Sequence, residues 1–551
     1  MTSALAPCPG VSLWLVLCGA TALFLGSANP FIHLPLLIVL YPAALYAIGL
    51  TDLQPFRRGW WTGLLGAAGA LYWISVAVHD YGGFPWPLAV PCAVLLGMYV
   101  GLWGGIFARL VSLLRPLSPW RRCLAAGLLW YLLEWTRGWF CTGFPWLTLA
   151  AGQSAWPVLI QTASVIGAYG LSGLLAGLGC LTAEAVLIMG AASTPRSPRP
   201  FLLSACGLLA LLLLFGGVRL YQADRESAPG LPLTLSLIQG NVRQDLKWEP
   251  AFQQATVDKY LRLSAQAIAA EHPDALIWPE TAMPFFFQDA GPLSSAVRAF
   301  ARENGTALLF GGPAYGPRQT AATPALYNRA FWLDARGDNA GHYDKEHLVP
   351  FGEYLPPGLD SSLFASLLQG LGGFASGVSL PPLRLALLNK RSPDKPGEVA
   401  LGALICYEAV FPELARTRVA GGAQVLVNIS NDAWYNRSSA PVQHLHLALL
   451  RSVEQERWLA RATNTGLTAF VDPWGRLAAL GDIRDGSGLF VEASLTRTVY
   501  ARSGHTLYFM LHPWLPALAF LLFLFILCPL ARCWRARAPR EGLLHSSRRG
   551  T

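Results

Sequence analysis

Eight long apolar stretches, near residues 12–28, 31–50, 59–79, 86–108, 123–140, 157–190, 201–219 and 513–530, limit what this chain can fold into. A bilayer-spanning helix needs about 20 predominantly apolar residues, and most of these stretches approach or reach that length. Residues 1–219 contain no lysine, ten arginines and only four acids, Asp52, Asp80, Glu134 and Glu184. Across the whole chain 53% of residues are hydrophobic and 13% charged, against about 25% charged in a soluble domain. The first stretch has no basic residue before it and no obvious cleavage site after it, so it is expected to stay as a span. The stretch 157–190 is long enough for two short spans, although Gly167, Gly170 and Gly173 also suit tight helix packing. The expected organisation is a membrane domain of seven spans over 1–219, a polar domain over 220–512, an eighth span over 513–530 and a basic tail over 531–551.

Arginine placement predicts the orientation, because cytoplasmic loops are enriched in basic residues. Arg57 and Arg58 follow the second stretch, and Arg109, Arg115, Arg121 and Arg122 separate the fourth from the fifth. Arg196 and Arg199 separate the sixth from the seventh, and six arginines follow the eighth. The alternate loops carry none, with Arg137 and Arg219 as exceptions near the outer ends of their stretches. Both termini are therefore expected in the cytoplasm and residues 220–512 outside. The net charge of +9 is then a topology signal and not a nucleic-acid patch.

Within residues 230–500, strand patterns fall at 233–239, 274–278, 306–311, 328–333, 399–405, 423–429, 467–472 and 488–492. Helix patterns fall at 251–270, 293–304, 411–420 and 441–460. This alternation predicts an α/β domain.

Three motifs stand out there. Leu401–Ile405 reads as a buried strand ending on Cys406, with Tyr407 and Glu408 next. Nine of the ten cysteines lie in or beside apolar stretches; Cys406 alone lies in the polar half and has no disulfide partner within it. A lone cysteine is commonly an inert core residue. Ala275–Thr281 is another apolar run, ending on Glu280, and His342–Glu353 carries Lys345, one of only five lysines. A thiol nucleophile needs a base for its proton and a cation for the thiolate and the oxyanion that follows. A carboxylate, an ammonium and the thiol supply those roles.

The motifs WPE, K-x-x-L-V-P-F-G-E and CYE, in this order, resemble the nitrilase superfamily, whose catalytic set is Glu-Lys-Cys. The resemblance implies a four-layer α-β-β-α sandwich with the site at one end. A domain of this kind between seven spans and one, with Gly143-Phe144-Pro145-Trp146 after Glu134, Trp135 and Arg137, is similar to the apolipoprotein N-acyltransferase family. That resemblance implies an acyltransferase of the bacterial inner membrane with a periplasmic catalytic domain. Its donor would be a phospholipid and its acceptor the α-amine of a diacylglyceryl-cysteine apolipoprotein. It also implies Glu280 as base, Lys345 as oxyanion cation and Cys406 as nucleophile, with Trp248, Glu353, Tyr407 and Glu408 at further required positions. No cofactor, metal or nucleic acid is called for, and a monomer is expected.

Other readings stay open. Glu353 and Glu408 suit structural support as well as catalysis, and Trp248 suits a core position as well as an acyl pocket. His444 and His446 make a weak metal pair. Two apolar segments suit a lipid gate, one holding Phe286 and Phe287, the other Leu367 and Leu368; core packing is the alternative. A membrane-tethered amidase would use the same three residues. A transporter with a binding-only outer domain is disfavoured by the scarcity of ionisable residues in the spans.

Overall fold

The computed structural model describes residues 9–191, 196–226, 230–317, 324–355, 373–392, 395–483 and 485–537. The polar half is built on twelve strands: β1 (Pro232–Gln239), β2 (Ala275–Ile277), β3 (Ala307–Gly316), β4 (Ala325–Leu333), β5 (Asn339–Asp344), β6 (Leu383–Ser392), β7 (Lys395–Ile405), β8 (Val425–Ser430), β9 (Leu459–Thr463), β10 (Ala469–Val471), β11 (Leu477–Ala479) and β12 (Ala493–Tyr500). They form two six-stranded sheets, ordered β12-β1-β2-β3-β4-β5 and β11-β10-β9-β8-β7-β6. In each sheet the three central strands, β1-β2-β3 and β7-β8-β9, run parallel. Their carboxyl ends are where loops can gather side chains into a site.

Strand alternation explains the layering. Leu233, Leu235, Leu237 and Ile277 meet Leu401, Ala403, Ile405, Val425 and Val427 between the sheets. Ile238, Leu276, Trp278, Leu308 and Phe310 point the other way and pack under helices Pro250–Glu271 and Pro292–Asn304. Helices Pro412–Ala420 and Ala440–Gln455 cover the second sheet, completing an α-β-β-α sandwich.

The expected strand at 488–492 is absent, and the chain instead pairs one step later as β12, antiparallel to β1. The helix expected over 441–460 stops at Gln455, because Glu456 turns left-handed (φ 48°) and the next residues enter β9.

Among the described residues, eight helical units fall in the stretches expected as spans. Three of them, Trp86–Leu113, Ala163–Gly190 and Arg199–Arg225, are long and apolar enough to cross a membrane. A fourth qualifies if Pro55–Ala70 and Trp73–Asp80, bent by 53°, count as one span. Leu13–Gly26, Pro35–Thr51 and Leu515–Pro529 are shorter, and Pro119–Arg137 carries Arg121, Arg122, Glu134 and Arg137. Length and composition therefore do not establish eight spans. In the 157–190 stretch the long helix starts at Ala163 and kinks at Gly167, which has φ 73° and packs so closely on the Tyr508 ring that a Cβ there would collide with it.

The sandwich is docked on these helices. Gln443, on helix Ala440–Gln455, accepts from Trp73 Nε1 (3.0 Å) and Trp146 Nε1 (2.8 Å) and donates to the carbonyls of Ala28 and Ala70. Glu454 accepts from Ala168 N at 2.8 Å. One continuous apolar core runs from Leu45 and Leu175 in the helical part to Leu445 and Leu449 in the sandwich.

Candidate active site

Each of the three motif residues follows a strand at the same end of the sandwich. Glu280 comes just after β2, Lys345 directly after β5 and Cys406 directly after β7. Two of the turns are tight. Thr281 has φ 49° and Cys406 φ 53°, a left-handed conformation uncommon for residues with a Cβ and costing on the order of 1–3 kcal/mol. Gly311 makes the first turn possible: a Cβ there would lie 2.6 Å from Thr281 N and 2.7 Å from Glu280 Cα.

Lys345 is 1% exposed. Its Nζ lies 2.9 Å from Glu353 Oε1 and 3.4 Å from Glu280 Oε1. Burial works against its charge, but Glu353 and then Glu280 outweigh it and hold its pKa well above the ordinary value. Asn328, on β4, donates its amide to both carboxylates, at 2.7 Å to Glu280 and 2.8 Å to Glu353. Glu353 Oε2 also accepts from Val349 N at 2.8 Å. Glu353 thus orders the lysine and the loop after it.

Cys406 is buried, and burial pushes its thiol pKa up; Glu280 adds to this and Lys345 opposes it. At rest it is a thiol, so ionising it requires a base. Both charged members of the set act electrostatically on the sulfur.

Glu408 stands apart from the reacting groups. Its Oε1 accepts from Tyr343 Oη (2.7 Å), Glu346 N (2.7 Å) and His347 N (3.1 Å), and its Oε2 from Ile405 N (2.7 Å). It ties the loop that follows Lys345 to the strand that ends at Cys406. Tyr407 reaches the other way: its hydroxyl donates to Gly143 O at 3.1 Å and its ring stacks near Trp146. The Gly143–Trp146 segment therefore meets the site directly.

Trp248 is half-buried and lines a cleft of about 660 Å³ with Gln253, Pro284, Phe285 and Phe286. Phe287 overturns its place in the expected gate. It is 1% exposed and its ring is held between Phe310 and Phe331 in the sheet–helix core. Phe286 is only half-buried, against Tyr315. Leu367 and Leu368 lie outside the described residues. His444 and His446 do not form a pair: His444 faces Asp432 and the Cys406 carbonyl, while the His446 ring neighbours His33.

Several participants were not singled out in the sequence. Lys247, next to Trp248, is fully buried and donates to Thr281 Oγ1 at 2.6 Å and to the Glu280 carbonyl at 3.4 Å. Burial lowers its pKa to about 7, against the opposing pull of Glu280 and Cys406. Asn328, Ser430, Asp432 and Arg461 are likewise buried around the site. The run of polar residues Asn428, Ser430, Asn431 and Asp432 on and after an apolar strand was the available signal.

Residues 234–491 match the carbon-nitrogen hydrolase family, and residues 9–181 match the apolipoprotein N-acyltransferase N-terminal domain. The molecule is thus a carbon-nitrogen hydrolase-type sandwich seated on an apolar helical domain. The chain is 38% identical to an apolipoprotein N-acyltransferase of Geobacter metallireducens, over 86% of this chain and 87% of the relative. It is 36% identical to that of Pseudomonas aeruginosa, over 85% and 87%. The chain belongs to the apolipoprotein N-acyltransferase family. Among solved structures, an amidase from Nesterenkonia sp. is 22% identical with a TM-score of 0.34, covering 49% of this chain and 90% of that one.

Proposed function

We propose that this chain moves an acyl chain from a phospholipid to the N-terminal α-amine of a diacylglyceryl-cysteine apolipoprotein, through a thioester on Cys406. The observation that carries this reading is the meeting of Glu280, Lys345 and Cys406 at the end of the sandwich that touches the apolar helices through Tyr407 and Gly143.

In the first half-reaction Glu280 takes the thiol proton and Sγ attacks the ester carbonyl carbon. The oxyanion is met by Lys345 and a backbone N–H near Tyr407. Collapse breaks the ester C–O bond, and the lysophospholipid oxygen leaves with the proton from Glu280. In the second half the lipoprotein amine attacks the thioester and gives a proton to Glu280. The C–S bond breaks and the thiol is restored. Burial around Cys406 keeps water from competing with the amine.

The eight helical units are read as eight crossings of a bacterial inner membrane, with the shorter and more polar ones relying on their neighbours. Arginine-rich loops then face the cytoplasm and residues 220–512 the periplasm, the working form being a monomer. Reporter fusions after Ser118 and after Ala400 should report opposite sides. The activity itself is tested with purified protein, phospholipid vesicles and a diacylated lipopeptide. A triacylated lipopeptide supports the reading, whereas release of free fatty acid or ammonia without transfer supports a hydrolase instead.

A further inference from the structure

Beside Cys406 is a buried polar network. Ser430 Oγ lies 3.4 Å from Cys406 Sγ and 3.0 Å from Asp432 Oδ1. Arg461 NH2 fixes the second oxygen of Asp432 at 2.8 Å and its NH1 holds Asn428 Oδ1. His444 spans from Asp432 Oδ1 (3.0 Å) to the Cys406 carbonyl (3.2 Å). Ser430, Asp432, His444 and Arg461 are all buried. Although burial opposes its charge, Arg461 and His444 hold the Asp432 carboxyl below the usual carboxylate range, so it accepts hydrogen bonds throughout the cycle.

A hydroxyl carries one proton and can serve only one of its two neighbours at a time. The favoured neighbour depends on the sulfur. A neutral thiol or a thioester is a weak acceptor, and the hydroxyl then belongs to Asp432. A thiolate is charged, and hydrogen bonds to ionised groups are roughly twice as strong as neutral ones, so it then competes for the hydroxyl with the ionised Asp432, which already has Arg461 and His444 as partners. We propose that Ser430 is a further catalytic residue, whose O–H rests on Asp432 and rotates onto Sγ whenever the Cys406 thiolate forms.

No bond to Ser430 is made or broken. The proton leaving the thiol goes to Glu280, and the serine proton only changes the acceptor it points at. The same contact stabilises the thiolate as nucleophile in the first half-reaction and as leaving group in the second. Asp432, Arg461 and His444 act as positioning residues by fixing where the hydroxyl rests. The other charged or titratable groups acting on the sulfur are Glu280, Lys345, Lys247 and Tyr435.

The inference rests on Cys406 being the nucleophile, and the test separates the two. The full-length protein in detergent is treated with iodoacetamide over a range of pH, and modification of the Cys406 peptide is followed by mass spectrometry. Acyl loading from phospholipid vesicles is measured in parallel. Ser430→Ala should move the midpoint for Cys406 modification up by about one unit or more, the worth of a hydrogen bond to a charged group. Ser430→Thr should stay near the wild type. Ser430→Val, which matches Thr in shape and lacks the hydroxyl, should follow Ala, so the Thr/Val pair decides the matter if Ala folds poorly. Loading rates should fall in the same order. Ala and Val profiles that coincide with the wild type, in a protein whose Cys406 still loads, would overturn the role of Ser430. A wild-type protein that takes up no acyl mass on Cys406 would overturn the nucleophile itself.

Discussion

Lys345 Nζ is 2.9 Å from Glu353 Oε1, nearer than to Glu280 at 3.4 Å. The carboxylate nearest the lysine is therefore distinct from the one proposed to take the proton. If one acid did both, protonating it would strip Lys345 of its partner at the moment the oxyanion forms. Glu353→Gln keeps the shape and removes the charge. Acyl loading should fall by about 10- to 100-fold, the worth of one charge-assisted hydrogen bond, while Cys406 still reacts with iodoacetamide. Loading at the wild-type rate, followed by mass against time, would show that Glu353 is dispensable.

Glu408 leads to a different expectation, because its four donors belong to β5, β7 and the loop after Lys345. In Glu408→Ala the amides of Ile405, Glu346 and His347 lose their acceptor, at about 1–3 kcal/mol for each buried group left unpaired. Unfolding should therefore come first. The variant should show a thermal midpoint well below wild type and altered proteolysis, with loss of loading as a consequence. A stable, inactive Glu408→Ala protein would point to direct catalysis.

Gly311 is tested by the smallest possible change. The Cβ of Gly311→Ala would meet the backbone at Thr281 N and Glu280 Cα, which cannot rotate away as a side chain can. The Glu280 turn must shift, and a displacement on the order of 1 Å at a catalytic group costs about 10²-fold in rate. Slow loading with a nearly normal thermal midpoint is the expected result.

How much of this was legible beforehand varies with the range of the interactions. The alternating run 233–239 and the continuous apolar run 399–405 announced themselves, as did the three motifs. β12 did not, because Ala493–Tyr500 is an edge strand and its Ser, Thr and Arg residues hide the pattern. Phe287 misled because aromatic density alone does not separate a surface arm from a core. Phe287 is buried by Phe310 and Phe331, from strands β3 and β4. Asn328 carries no sequence mark of its role, and the polar run around Ser430 marks the stretch without giving what it contacts. They become readable only when β4 and β8 bring them beside Glu280 and Cys406.

Lys247 predicts a pH effect on stability. In the unfolded chain it remains protonated up to about the ordinary value of 10.5, whereas in the folded protein it loses its proton near 7. Between these values the folded state binds fewer protons, so Lys247 makes stability rise with pH. Below 7 both states are charged and the full cost of burying the ammonium is present. The difference in thermal midpoint between wild type and Lys247→Met should change in favour of the wild type from pH 7 to pH 9. Parallel curves for the two proteins would contradict the buried, easily neutralised amine.

The most direct measurement is the mass of the protein itself. Purified wild-type chain incubated with phospholipid alone should gain one acyl chain, mapped to Cys406 and released by hydroxylamine, as a thioester would be. Glu280→Gln and Lys345→Ala should load slowly or not at all, and adding a diacylated lipopeptide should clear the adduct from the wild type. An acyl adduct that persists in Cys406→Ala, or lipopeptide acylation by that variant, would contradict the account.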